Sequence, residues 1–172
     1  MLDWSNRLLT SIENGQPYPN LSTEHPNAST ANAYAVQKQF VSQLEQSQHW
    51  GNIVGFKAAV TAQQAQQAMG LETGIMGVLF AKGASEANCT LVLDRPVLFE
   101  TEIGFVVGKT ITTPVTADNV AQYISAYMPV IELAAPNLAE RPSGIDLIAA
   151  NSASYGFIRG NQIASGIGAD ID

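Results

Sequence analysis

Apolar residues return at helical spacing through the early part of the chain and at shorter, strand-like spacing through most of the remainder. From Leu2 to about Glu13, Leu8, Leu9 and Ile12 mark a helix face, and Asn14-Gly15 is a stop signal. A proline-rich linker from Gln16 to Asn27 holds Pro17, Pro19 and Pro26, which do not suit a regular helix. With Ser29 or Thr30 as N-cap, Ala33, Val36, Phe40, Val41 and Leu44 predict a second helix through about Gln48. Residues 1–50 therefore read as an N-terminal helical cap.

Near Gly51 the pattern changes, and residues 51–172 read as a β-rich core. Ile53 to Val60 predicts a strand, and Thr61 caps a short helix, Ala62 to Met69, closed by Gly70. Strands are expected at Gly77–Phe80, Thr90–Leu93 and Leu98–Val107. Thr116-Ala117-Asp118 opens an expected helix to about Met128, with Val120, Tyr123, Ile124 and Tyr127 on one face. A strand around Glu132 comes next, then further sheet at Ile145–Ala149 and Ser154–Ile158. A strand-rich part with helices set to one side is α+β.

Glu100 and Glu102 stand one residue apart in an otherwise apolar strand. Side chains alternate along a strand, so both acids leave the same face. A lone pair of this kind also suits an edge strand with one solvated face. Glu132, set in a second apolar run, Met128 to Ala135, shifts the reading toward three converging carboxylates. Facing inward, such acids repel unless a cation lies between them. Three oxygen donors without clustered His or Cys favour a hard ion, Mg2+ or Mn2+, with positions left open for water and a chelating substrate. Lys57, inside the apolar run Ile53–Val60, is costly to bury without an anion; it either faces a carboxylate or snorkels to the strand rim.

The composition narrows the class. The 172 residues suffice for one domain, and 46% hydrophobic against 13% charged residues argues for a folded chain whose surface is partly covered, so a homo-oligomer is expected. A net charge of −7 with scattered basic residues disfavours nucleic acid or an anionic membrane as partner. Cys89, the single cysteine, cannot form an internal disulfide and reads as a small buried residue in a reducing compartment. The first residues, with Asp3 and Trp4, do not read as a signal peptide, and no run of about 18 apolar residues could span a bilayer. A cytoplasmic location is expected. His25 and His49 fall in the cap and read as surface residues.

Six segments in order, Ala33–Gln37, Gly55-Phe56-Lys57, Gly77–Phe80, Glu100-Thr101-Glu102-Ile103, Pro129–Glu132 and Asn151–Gly156, carry a resemblance. The chain resembles the 2-keto-4-pentenoate hydratase and 4-oxalocrotonate decarboxylase family of the fumarylacetoacetate hydrolase superfamily. The resemblance implies a mixed β-roll or sandwich core with an N-terminal helical cap, here lacking the C-terminal strands of relatives. It implies metal ligands at Glu100, Glu102 and Glu132 and active-site roles for Lys57 and Ser154. The implied activity is hydration of a 2-hydroxy-2,4-dienoate, of the 2-oxo-4-pentenoate type, to a 4-hydroxy-2-oxo acid. Decarboxylation of a 4-oxalocrotonate-like diacid is the alternative, with Arg141 or Arg159 as cation for the second carboxylate. A noncatalytic partner of a companion decarboxylase or hydratase subunit is another.

The chain departs from relatives at three places. Ile75 stands where hydratases often carry an acid, with Glu72 three residues upstream, which leaves water as the candidate for proton transfer. Asn151 replaces a charged residue by a neutral amide in Asn151-Ser152-Ala153-Ser154. The sequence stops at Asp172, before strands that relatives have, so open sheet edges and uncovered apolar surface are expected.

Overall fold

The computed structural model describes residues 2–164. Helix α1, Leu2–Glu13, helix α2, Leu21–Glu24, and helix α3, Thr30–Gln46, form the cap. α3 begins where the sequence places it: Ser29 Oγ accepts from the Asn32 N–H at 3.2 Å, and the Ser29 N–H donates to Asn32 Oδ1 at 3.0 Å. Its buried stripe, Ala33, Val36, Phe40, Val41 and Leu44, packs with Trp4, Leu8, Tyr18 and Leu21. The linker is not wholly irregular, because the stretch free of proline holds the single turn of α2.

Strand β1, Ile53–Ala59, runs antiparallel to β2, Ile75–Phe80, through helix α4, Gln63–Met69. Gly70 ends α4 at φ 68°, a conformation a side chain would resist. Strand β3, Ala84–Glu86, then opens a five-stranded sheet with β4, Leu98–Val107, β5, Ile124–Ala134, and, after helix α5, Gly144–Ala149, strands β6, Ser154–Arg159, and β7, Ile163–Ala164. The path is β3-β6-β5-β4, with β7 beside β5 and β4 at an edge. Ile75, Val78 and Phe80 of β2 and Leu147 and Ile148 of α5 join the cap's apolar cluster, so cap and sheet residues share one core.

Asp146, 1% exposed, ties the linker to α5. Its carboxylate accepts from the Ser22 N–H at 2.7 Å, the Ser22 hydroxyl at 2.7 Å, and the N–H and hydroxyl of Ser143 at 2.8 Å each. Burial alone would raise this carboxyl, but the hydrogen bonds from Ser22 and Ser143 hold it below the ordinary value.

The structure corrects several expectations. Thr90–Leu93 alternates like a strand, yet no partner pairs with it among the described residues; Val92 is 93% exposed. Residues 116–128 do not form a helix. The opening signal is used by a 3-10 turn, Val120–Tyr123, and from Ile124 the chain is β5, matched along β4 from Val107 to Leu98. Cross-strand pairing outweighs the local start signal. Ile145–Ala149 is helical because Ser143 and Asp146 cap it. Cys89 is exposed, in the connection between β3 and β4, rather than buried.

The outward face of β4 presents Phe99, Ile103, Phe105 and Val107, each at least half exposed, in line with the expected uncovered apolar surface. Among the described residues, no helix is long and apolar enough to cross a membrane.

Candidate metal centre

Alternation along β4 turns Glu100 and Glu102 to the face opposite Phe99, Thr101 and Ile103. The register then pairs Glu100 with Glu132 and Glu102 with Val130. The result is a cluster in which one carboxylate oxygen each of Glu100, Glu102 and Glu132 lies within 4.8 Å of the others. Glu100 is exposed, Glu102 half-buried and Glu132 buried, so the cluster deepens toward β5.

Lys57 comes from the other sheet. It is 6% exposed, and its Nζ donates to Glu132 Oε1 and, at 3.0 Å, to the Ser152 carbonyl. The sequence left two readings for this lysine, and the structure gives the one that faces a carboxylate. Among the described residues Glu132 Oε2 has no hydrogen-bond partner. A buried carboxylate oxygen without a donor is unfavourable in an apolar setting. Burial pushes the Glu132 carboxyl up to about 7, against the pull of Lys57, and the nearby Glu102 and Glu100 push the same way. Glu102 is also raised, first by burial, with Lys57 opposing and Glu100 adding.

These features fit a cation. The three carboxylates and one ammonium carry a formal charge of −2, which one divalent ion neutralises, and the orphaned Oε2 has free lone pairs that a cation would take up.

The Lys57 ammonium is held in turn by an unusual backbone turn. Asn151, Ser152 and Ala153 have φ of 59°, 52° and 58°, three successive left-handed residues without a glycine. Each costs about 1–2 kcal/mol relative to the right-handed form, so the surroundings must compensate. They do so through β2. The Val78 N–H donates to Asn151 Oδ1 at 2.8 Å and Asn151 Nδ2 donates to the Val78 carbonyl at 2.9 Å. Ser152 Oγ donates to the Met76 carbonyl at 2.9 Å. Gly77 lies between: a Cβ there would stand 2.9 Å from the Asn151 carbonyl oxygen and 3.1 Å from Lys57 Cγ and from Ser152 Cβ. Only glycine lets turn, lysine and strand approach this closely.

Ser154 is placed differently. Its hydroxyl donates to the Val78 carbonyl at 2.9 Å, and it lines a cavity of about 260 Å³ with Trp50, Phe80, Leu133 and Phe157. Neither the three acids nor Lys57 line that cavity. Ile75 is buried in the shared core and Glu72 is exposed. Arg141 is exposed in the connection before α5, whereas Arg159 pairs with Glu86. On β6, Phe157 lies opposite Glu132 and Arg159 opposite Val130, which itself faces Glu102, so Arg159 shares the acid-bearing face.

The sequence reading missed what Tyr34 and Gln37 do. Tyr34 Oη accepts from the Met76 N–H at 3.0 Å, and Gln37 Nε2 donates to the Met76 carbonyl at 2.8 Å. Their spacing of three on a helix was the available signal.

No protein-family model matches the chain, and no curated protein matches it. Among solved structures it is similar to 4-oxalocrotonate decarboxylase from Pseudomonas putida G7, complexed with magnesium and adipate, at a TM-score of 0.84 and 23% identity. A second structure of that decarboxylase, complexed with calcium and acetate, matches at 0.84 and 24% identity. Each alignment takes in 99% of this chain and 65% of the decarboxylase chain, so this chain spans less than two thirds of that length. The protein thus has the fumarylacetoacetate hydrolase-type fold that its sequence resembles.

Proposed function

We propose that the protein is a divalent-metal-dependent enzyme of 2-oxo acid chemistry, a hydratase that adds water to a 2-hydroxy-2,4-dienoate to give a 4-hydroxy-2-oxo acid. The observation that carries this reading is the convergence of Glu100, Glu102 and Glu132 beside Lys57, with Glu132 Oε2 left without a donor. Glu100, Glu102 and Glu132 would hold Mg2+ or Mn2+, which would supply Lewis acidity to a 2-oxo acid. Lys57 neutralises part of the acid cluster and fixes Glu132 in one orientation, so the ligand set is arranged before substrate arrives. Ser154, whose hydrogen is committed to Val78, retains lone pairs that can accept from water or a substrate hydroxyl. With Ile75 in the core, proton transfer falls to water. We place the enzyme in the cytoplasm as a homo-oligomer, its apolar β4 face being the surface that self-association would cover.

A second reading, decarboxylation of a 2-oxo diacid, is favoured by Arg159 on the acid-bearing face, available to a distal carboxylate if Glu86 releases it. The similarity to a decarboxylase solved with adipate agrees with that reading.

Calorimetric titration with Mg2+ and oxalate, on wild type and a Glu100→Ala/Glu102→Ala double variant, tests the site. Metal-dependent oxalate binding that the double variant loses supports the proposal. The same weak binding in both refutes it and leaves a noncatalytic partner. Loss of the ultraviolet band of 2-hydroxypenta-2,4-dienoate, set against CO₂ release from a 2-oxo diacid, separates hydratase from decarboxylase.

A further inference from the structure

Asn151 is fully buried, and its side-chain amide meets Val78 as a neighbouring strand's backbone would, accepting from the N–H and donating to the carbonyl. It thereby fastens the first residue of the left-handed turn 151–153 to β2. The second residue of that turn supplies the carbonyl that receives the Lys57 ammonium, and its hydroxyl reaches Met76. Lys57 itself lies opposite Gly77 in the β1–β2 register, between the two clamped positions. Strain in the turn, the close approach at Gly77 and the amide clamp therefore converge on one result, the direction in which Lys57 Nζ points.

We propose that Asn151 is a positioning residue: its two-sided amide clamp on Val78 holds the left-handed turn whose Ser152 carbonyl aims Lys57 at Glu132. An aspartate would serve only half of this. It can accept from the Val78 N–H, but its second oxygen would face the Val78 carbonyl oxygen with no proton between them. The turn would lose its anchor, and with it the carbonyl that steadies the ammonium. The inference rests on reading Lys57 and Glu132 as partners in the metal site, so its test includes a readout that needs no metal.

That readout is the rate at which Lys57 is reductively methylated in the folded, metal-free protein, followed residue by residue by mass spectrometry. In wild type Lys57 is protected relative to Lys38, Lys82 and Lys109. In Asn151→Asp, Lys57 labelling rises about tenfold, the loss of roughly one hydrogen bond's worth of protection, while the other lysines keep their rates. Leu8→Ala, in the cap core, serves as a variant of lowered global stability that leaves the relative protection of Lys57 intact. If Asn151→Asp fails to fold, the same comparison is made in an Ala153→Gly background, where glycine takes the positive φ without strain. A folded Asn151→Asp protein with Lys57 as protected as in wild type overturns the proposal. Mg2+ and oxalate titration of the same proteins provides the second arm: about tenfold weaker binding in Asn151→Asp but not in Leu8→Ala supports the proposal, and equal affinities overturn it. A wild type that binds no metal refutes the functional reading alone, because the labelling result still decides the role of Asn151.

Discussion

Removing the Lys57 ammonium should expose how strongly the fold depends on the ion pair at its centre. In Lys57→Met the aliphatic stem is kept, so packing against Gly77 changes little, while Glu132, 1% exposed, loses its partner and the Ser152 carbonyl loses a donor. Breaking a buried pair from one side costs about 3–5 kcal/mol, because the remaining charge has no compensation. At about 2–4 °C per kcal/mol for a chain of this size, the melting temperature falls by about 6–20 °C. Glu132 can escape by taking a proton, and burial already raises its carboxyl from 4.5 to about 7. A raised carboxyl stabilises the fold below its unfolded value and loses that contribution as pH rises through the folded value. The penalty of Lys57→Met is therefore smaller at about pH 6 than at about pH 8.5, where the lone carboxylate must stay charged. Urea denaturation with chelator present, at both pH values, measures this free of metal. The cycle is completed by Glu132→Leu and by Lys57→Met/Glu132→Leu, which replaces both charges and should return to within about 1 kcal/mol of wild type. A single variant that costs under about 1 kcal/mol at the higher pH, or a double variant as unstable as the sum of the singles, would refute the reasoning.

Neighbouring contacts make two further predictions. Asp146→Asn should cost about 1.5–3 kcal/mol at neutral pH, since the Ser22 and Ser143 donors lose a charged acceptor. Because the Asp146 carboxyl lies below its ordinary 3.8, its contribution is present above that value and lost as pH falls through the folded one; acid titration by circular dichroism should show wild type and variant converging. Gly77→Ala should cost about 1–3 kcal/mol by overpacking and weaken Mg2+ binding, because the new methyl presses on Asn151, Ser152 and Lys57 together. Unchanged stability and affinity would show that the turn gives way freely.

The legible parts of the site were those set by a period. Alternation alone put Glu100 and Glu102 on one face, and an apolar run around Lys57 required an anion or the rim. What alternation cannot supply is register, and it is register that sets Glu132 directly opposite Glu100. The same distinction explains the misread segment 116–128. Its start signal, Thr116-Ala117-Asp118, is local, whereas the pairing that makes Ile124–Ala134 a strand involves residues far back in the chain. For α5 the signal was present, since Ser143 followed three residues later by Asp146 is a capping pattern, but the short apolar run after it reads equally well as strand. The left-handed turn had no signature beyond Asn151, because serine and alanine carry no preference for positive φ.

The same contacts give the cap a second role. Tyr34 and Gln37, on successive turns of α3, hold the N–H and carbonyl of Met76, and Ser152 shares that carbonyl. Gly77, the next residue, lies opposite Lys57, and Val78 is gripped by Asn151. Met76 is thus held from both the cap and the turn and Val78 from the turn, so the two residues that flank Gly77 are fixed and Lys57, opposite it, inherits its position from them. A helix that merely covered the sheet would need an apolar stripe, which α3 has, but no reason to commit two polar side chains to one backbone position. Because those side chains bond backbone rather than solvent, α3 acts through Tyr34 and Gln37 as a buttress for the strand that lies opposite the lysine.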